Sequence, residues 1–291
     1  TPLMFWTQDL WPDSVYAYGF KKTKILKVTL DIFVGFMYRN ISAIAVSGRG
    51  FESKLKPYVN SNLQFNYLPN WADELNLEFE PAVLSKEKKV HFTFAGNVGK
   101  VQNLENIISA FCLLPDKFQD NSQMNIIGDG SNLNNIKSLA NNNSNIVFHG
   151  KQKREDMAMF FKASDFLIVS LIDKPIFALT VPAKTQTYIS VKKPILAIIK
   201  GDTANIIIEN NLGLHVDPSN IEAISKLFAE CIDMDGQEIN KYTENCNYLL
   251  YPNSLKSISN FSKIFSFNSL LRNICSLGSL VLFRIDNSLK S

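Results

Sequence analysis

The sequence predicts an α/β protein built on parallel, doubly wound sheets, and three observations lead there. From Val90 to about Leu227, short apolar runs alternate with helical patterns through short connections, the arrangement that gives parallel strands with crossover helices. A chain of 291 residues, 46% of them hydrophobic, has enough apolar material for two cores. At the start, the apolar Thr1–Trp6 gives way to the polar turn Gln8-Asp9-Leu10-Trp11-Pro12-Asp13-Ser14, the order expected where a buried parallel strand ends.

Taken in order, Lys24 to Asn40 carries Ile25, Leu26, Val28, Leu30, Ile32, Phe33, Phe36 and Met37 in a helical pattern. Its basic lead-in, Lys21-Lys22-Thr23-Lys24 with Lys27, reads as a solvated face, with an anionic membrane surface as the alternative partner. Ile41 to Val46 reads as a strand, and Ser47-Gly48-Arg49-Gly50 as a turn into a short helix ending near Lys56. The polar, acidic stretch from Ala72 to Lys89, with Pro81, reads as a linker. Beyond it, strands are expected at Val90–Ala95, Gln123–Ile127, Asn145–Phe148, Phe166–Leu171, Ile195–Ile199 and Gly213–His215. Helices are expected between them at Asn103–Leu114, Asn132–Ala140, Arg154–Ala163, Pro182–Ser190, Thr203–Asn210 and Ile221–Cys231. The domain boundaries follow as 1–84, 85–249 and 250–291, the last a crossing helix over Asn245–Phe265 and a tail whose apolar run, Leu270–Phe283, is too short to span a bilayer.

Composition narrows the function. Thirty Lys+Arg against 27 Asp+Glu leave no overall field of the kind nucleic-acid binders show, so nucleic acid is not an expected partner. Cys112, Cys231, Cys246 and Cys275 are widely spaced, as in reduced cytosolic proteins, and form neither a disulfide framework nor a zinc motif. Asp233-Met234-Asp235 lies in a late polar segment away from strand ends, and no metal site is expected. The chain opens at Thr1 without a methionine, directly in an apolar segment, which suggests that residues upstream are missing.

Three stretches could carry chemistry. In Phe94-Ala95-Gly96-Asn97-Val98-Gly99-Lys100, glycines between a strand and a helix let backbone approach a phosphate, although such turns also use glycine for conformation alone. Gly128-Asp129-Gly130 makes the same transition one unit later, with a tight turn and an Asp cap as the equal alternative. In Val181-Pro182-Ala183-Lys184, Pro182 opens a helix and puts Lys184 in its first turn, where a cation is unfavourable unless an anion shares the site. His149, alone at a strand end, is read as structural.

The order P-A-K-x-x-x-Y-x-x-x-x-K-P-I-L-A from Pro182 to Ala197 resembles the nucleotide-sugar loop and helix of retaining glycosyltransferases of the GT-B fold, family 4, and within them the fucosamine transferases of O-antigen and capsule synthesis. Gly96-Asn97, Gly99, Gln102 and Leu104 are similar to that family's G-N-x-G-x-x-Q-x-L pattern, and Gly128-Asp129-Gly130 to its G-D-G turn. The resemblance implies two Rossmann-like domains, the first of them incomplete here, lacking its opening strands and their glycine-rich loop. It implies a UDP-linked sugar as donor substrate, with no cofactor, held by Gly96, Asn97, Gly99, Lys100, Gly128, Asp129, Gly130, Pro182, Lys184 and Thr187. It also implies a lipid-linked saccharide acceptor near Gln8, Asp9 and Trp11, with Asp9 and Lys184 in catalytic roles, in the cytoplasm or peripherally on the inner membrane. Gln8 stands where many members have His, and Gln cannot take up a proton. Thr187 and Leu179 stand where the family's two glutamates fall, so the charge-assisted grip on a ribose is lost. Asp9 or Asp13 as a plain helix cap, an epimerase of the same fold, and a nucleotide-binding remnant without catalysis are the alternatives.

Overall fold

The computed structural model describes residues 3–17, 19–70, 80–82, 84, 87, 89–246, 276–277 and 280–284. These fall into two compact units. The first takes the residues up to Asn70, the segment Lys174–Val181 and the tail strands; the second takes the residues up to Asp173 and those from Pro182 onward.

In the first unit, β1 (Leu3–Thr7), β2 (Ala43–Val46) and β3 (Phe65–Tyr67) pair in parallel, joined by α1 (Asp13–Ala17), α2 (Lys24–Arg39) and α3 (Phe51–Leu55). β1 and β2 are apolar and almost wholly buried, as strands covered on both faces must be. Phe5, Val34, Tyr38, Ile44, Phe51 and Leu55 form the core, with Phe5 edge-on to Tyr38 at 5.6 Å. Two tail strands complete the sheet: β11 (Leu280–Arg284) runs antiparallel to β1, and β10 (Ser276–Leu277) antiparallel to β11. The segment from Lys174 returns to this unit through α8 (Pro175–Ala178), whose Ile176 and the following Leu179 pack on its core. Leu179 lies against Gly48 and Gly50, and any Cβ on Gly48 would strike the Leu179 carbonyl.

The second unit holds six parallel strands in the order β6-β5-β4-β7-β8-β9. They are β4 (Val90–Ala95), β5 (Ser122–Ile127), β6 (Ile146–Gly150), β7 (Phe166–Ser170), β8 (Ile195–Ile198) and β9 (Gly213–His215). Every residue of β4, β5, β7 and β8 is buried, the signature of a sheet covered on both faces. The helices are α4 (Leu104–Cys112), α5 (Asp116–Gln119), α6 (Leu133–Ala140), α7 (Met157–Ala163), α9 (Ala183–Ser190), α10 (Asp202–Glu209) and α11 (Ile221–Asp233). Phe92 of β4 is the hub of the core, 4.9 Å from Phe228, 5.6 Å from Phe166 and 6.5 Å from Phe111 between ring centres. Asn220 caps α11 by accepting from the Ala223 amide at 2.9 Å.

The doubly wound expectation for the second unit therefore holds, with strand ends within about two residues of those expected. Differences are local. A 3-10 turn at Lys100–Gln102 and a left-handed Asn103 come before α4, which starts at Leu104, one residue after the expected start. The four-residue helices α5 and α8 and the strands β3, β10 and β11 leave no periodic trace in the sequence. The interdomain linker expected at Ala72–Lys89 and the crossing helix expected at Asn245–Phe265 lie largely outside the described residues.

Candidate functional site

Strand register builds the site. β4 and β5 pair in step, Ala95 opposite Ile127, so Gly96 and Gly128 leave the sheet side by side. Both take positive φ, +135° and +137°, which only glycine adopts without strain. A Cβ on Gly128 would overlap the Gly96 carbonyl, so that position has no room for any other residue. The two turns are then tied together: the Gly96 amide donates to Ile127 O at 2.9 Å, Val98 to Asp129 O at 2.8 Å, and Asn132 to Val98 O at 3.0 Å.

Over these turns opens a cavity of about 570 Å³, lined by Gly96, Asn97, Gly128, Asp129 and Gly130, and on its far side by Lys151, Gln152 and Met157. Gly130 leaves space for the Asn97 carboxamide, whose Oδ1 would lie 2.6 Å from a Cβ placed there. The Asp129 carboxylate turns back to accept from the Gly130 amide at 2.7 Å. Among the described residues, the backbone amides of Asn97 and Asp129 donate to no protein acceptor and are free for a ligand.

Lys184 comes up from the first turn of α9 against the same loop. Its Nζ would stand 3.1 Å from a Cβ on Gly96, donates to Gln102 Oε1 at 3.1 Å, and lies 4.0 Å from the centre of the Phe94 ring. No carboxylate pairs with it among the described residues. The residue keeps partial exposure, but its ammonium sits in dense surroundings, and burial pushes its pKa down to about 7. Four residues along the helix, the buried Tyr188 hydroxyl meets both polar atoms of Ala95, accepting from N at 3.3 Å and donating to O at 3.4 Å. Tyr188 thus ties α9 to Ala95, and Lys184 ties it to Gln102.

The structure gathers Gly96, Asn97, Gly128, Asp129, Gly130 and Lys184 at one sheet edge. Gly99 is buried within the loop and Lys100 is exposed on the 3-10 turn; neither lines the cavity. Pro182 is the residue before α9, and Thr187 lies half-buried further along that helix. In the first unit, Gln8 accepts from Ser47 Oγ through its carbonyl at 3.5 Å, and Asp9 follows it, half-buried and without a hydrogen bond or ion pair among the described residues. Trp11 is 37% exposed, and Asp13 pairs with Lys54 at 3.8 Å. His149, read from the sequence as structural, meets Asn125 Oδ1 through its Nε2 at 2.9 Å, and burial lowers its pKa. Sequence reasoning did not single out Gln152, Met157, the Phe94 face or the roles of Gln102 and Tyr188. The one available signal was position, since Gln152 and Met157 follow the end of a parallel strand, where ligands gather in such sheets.

Two glycine turns, free amides and a lysine without a carboxylate partner among the described residues, gathered at the carboxyl edge of a parallel sheet, are the groups from which anion sites are built. Comparison with known proteins agrees on the fold. The described relative WbjE, a probable glycosyltransferase of Pseudomonas aeruginosa, is 28% identical over 240 residues, 78% of this chain and 59% of WbjE, so the chain spans less than two thirds of that relative. Among solved structures, WaaG, a glycosyltransferase involved in lipopolysaccharide biosynthesis, superposes with a TM-score of 0.69 at 14% identity, over 90% of this chain and 74% of that one. HepE from Anabaena, solved in complex with UDP and glucose, does so with a TM-score of 0.69 at 13% identity, over 92% and 72%. These neighbours place the fold in the GT-B class. Residues 77–247, more than half of the sequence, match the family described as glycosyl transferases group 1, and the chain belongs to that family.

Proposed function

We propose that this protein transfers a sugar from a nucleotide sugar, with the second unit holding the donor. The observation that carries it is the cradle at Gly96 and Gly128, where free Asn97 and Asp129 amides meet a cavity large enough for a nucleotide, with Lys184, which no carboxylate neutralises among the described residues, behind the Gly96 turn. The diphosphate lies on the glycine turns, and the nucleoside reaches toward Lys151, Gln152 and Met157. A UDP-linked donor is favoured because HepE, of the same fold, is described in complex with UDP and with UDP-glucose.

As the bond from the anomeric carbon to the diphosphate breaks, negative charge grows on the departing phosphate. Lys184 and the loop amides meet that charge where it develops, which is electrostatic catalysis and needs no protein nucleophile. Asp9, at the carboxyl end of β1, is assigned to the acceptor hydroxyl. Gln8 can only hydrogen-bond, so it orients the acceptor without exchanging protons. We further assign a retaining, family 4 reaction, an N-acetylated amino-deoxyhexose or hexose as the sugar, and a lipid-linked saccharide of bacterial surface polysaccharide as the acceptor. These rest on the resemblance of Pro182–Ala197 and on the surface-glycan setting of WaaG.

Calorimetric titration of the full chain with UDP, GDP, ADP and UDP-sugars tests this, alongside Lys184→Ala. Selective binding of the uridine nucleotides, weakened at least about tenfold in the variant, is expected from loss of a charge-assisted contact. A folded protein that binds none of these nucleotides ends the transferase reading, and one that binds UDP but transfers no sugar is a nucleotide-binding module.

A further inference from the structure

Lys184 is held by neutral groups. Its Nζ donates to Gln102 Oε1 at 3.1 Å and stands 4.0 Å from the centre of the Phe94 ring, and among the described residues no other hydrogen bond or ion pair reaches it. An amide oxygen and an aromatic face both attract a cation without cancelling its charge. In its charged form Lys184 therefore keeps a whole positive charge behind the Gly96 turn, where a Cβ on Gly96 would lie 3.1 Å from Nζ. The same contact orients the amide. An ammonium only donates, so the carboxamide turns its oxygen to Lys184 and its NH2 away.

The holder is itself fixed. Gln102 closes the 3-10 turn, its amide donating to Gly99 O at 3.0 Å and its carbonyl accepting from the buried Ser170 Oγ, at the end of β7, at 2.6 Å. On either side of it, Val101 O accepts from the Ile172 amide at 3.0 Å, and the Asn103 carboxamide donates to Pro218 O at 2.8 Å. The turn is thus pinned to the segments that follow β7 and β9, and the point from which the Gln102 side chain reaches Lys184 is set by the sheet.

Residue type carries the rest. Glutamate has the same length and would reach the same ammonium, closing a buried ion pair. A diphosphate would then have to displace a carboxylate and meet its repulsion. Glutamine gives the lysine a direction and leaves its charge uncancelled.

We propose that Gln102 is the positioning residue of the donor site: its carboxamide oxygen holds the Lys184 ammonium at the Gly96 turn, and its neutrality keeps that charge for the diphosphate. This role rests on the donor reading of the site, and the test separates the two.

The test is calorimetric titration with UDP of the full chain, unmodified and as Gln102→Glu, Gln102→Leu, Lys184→Ala and the Gln102→Leu/Lys184→Ala double variant, with the ligand-free melting temperature of each. Gln102→Glu should melt higher than the unmodified chain yet bind UDP at least about tenfold more weakly, opposite signs that a merely structural role does not produce. Gln102→Leu should weaken binding by about three- to tenfold with Lys184 present and by less than about twofold without it. The proposal is overturned if Gln102→Glu binds UDP as tightly as the unmodified chain. It is equally overturned if Gln102→Leu loses the same affinity with and without Lys184, since Gln102 would then act on the ligand directly or on the fold alone. The leucine pair decides the matter if the glutamate variant does not fold. An unmodified chain that binds no UDP ends the donor reading and this role with it, whereas Gln102 variants that bind like the unmodified chain end this role and leave the donor reading standing.

Discussion

The two units reach parallel β-structure by different means. In the second, each strand pairs with others of the same α/β run, β4 with β5 and β7, β7 with β8, β8 with β9, and the whole sheet is built from one stretch of alternating elements. In the first, three parallel strands near the start are completed by β11, which pairs Leu3 with Arg284 across almost the whole sequence. The difference teaches where a sheet's specification resides. Pairing within an alternating run is fixed by pattern and by the handedness of its crossovers, whereas pairing between distant ends depends on contacts that no local window contains.

The largest expected effect sharpens this contrast in the cores. Phe92→Ala empties the centre of a four-ring cluster and should cost about 3–5 kcal/mol in denaturant unfolding, while Phe51→Ala, in the smaller first core, should fall at or below the low end of that range. A greater loss from Phe51→Ala would show that the first core is the better packed. Next comes the glycine pair at the site. Gly128→Ala forces a Cβ onto the Gly96 carbonyl and should cost more than about 2 kcal/mol and abolish nucleotide binding. Gly150→Ala, with φ of +66° but open space, should cost about 1 kcal/mol, and equal losses at the two positions would remove close packing as the cause.

A pH effect of intermediate size belongs to Lys184. Its folded pKa, near 7, is below the ordinary lysine value of 10.5, so the unfolded chain binds more protons between those limits. This group's contribution to stability therefore rises with pH from about 7 to about 10.5. Ligand binding has the opposite sign: a diphosphate favours the charged ammonium, so affinity should fall above pH 7, by at most about tenfold per unit. Titration in buffers of different ionisation enthalpy should detect proton uptake on binding, and Lys184→Arg should abolish that uptake. The smallest effect is expected on the surface of the first unit, where Lys54→Ala breaks a 3.8 Å pair between exposed groups and should change stability by less than about 0.5 kcal/mol. A larger loss there would mean that Asp13 and Lys54 hold α1 in place.

Legibility in the sequence follows the same division. Val90–Ala95 and Gly213–His215 could be read to the residue, the first because Lys89 and Gly96 bound its apolar run. β3, with three half-buried residues, has no such run, and α8 is a single turn whose place is set by what Leu179 packs against. At the site, Gly96, Gly128, Gly130 and Lys184 were visible because backbone conformation and a helix start each leave a residue signature. The Tyr188 hydroxyl on Ala95 and the Gln102 side chain under Lys184 were not, since these contacts join residues 93 and 82 positions apart. Lys100, beside the glycines in sequence, stands exposed on a 3-10 turn outside the cavity lining, a placement the sequence pattern does not show.

The depressed pKa of Lys184 has a consequence for its reactivity. An ordinary lysine at neutral pH holds roughly one part in a few thousand as free amine, whereas burial leaves Lys184 a far larger share. Only the free amine has a lone pair to offer an electrophile. A small amine-selective reagent that can enter the loop should therefore react with Lys184 at pH 7 to a degree that depends on the loop opening. Peptide mapping would then read the state of the loop directly, because an anion that charges the ammonium also silences it.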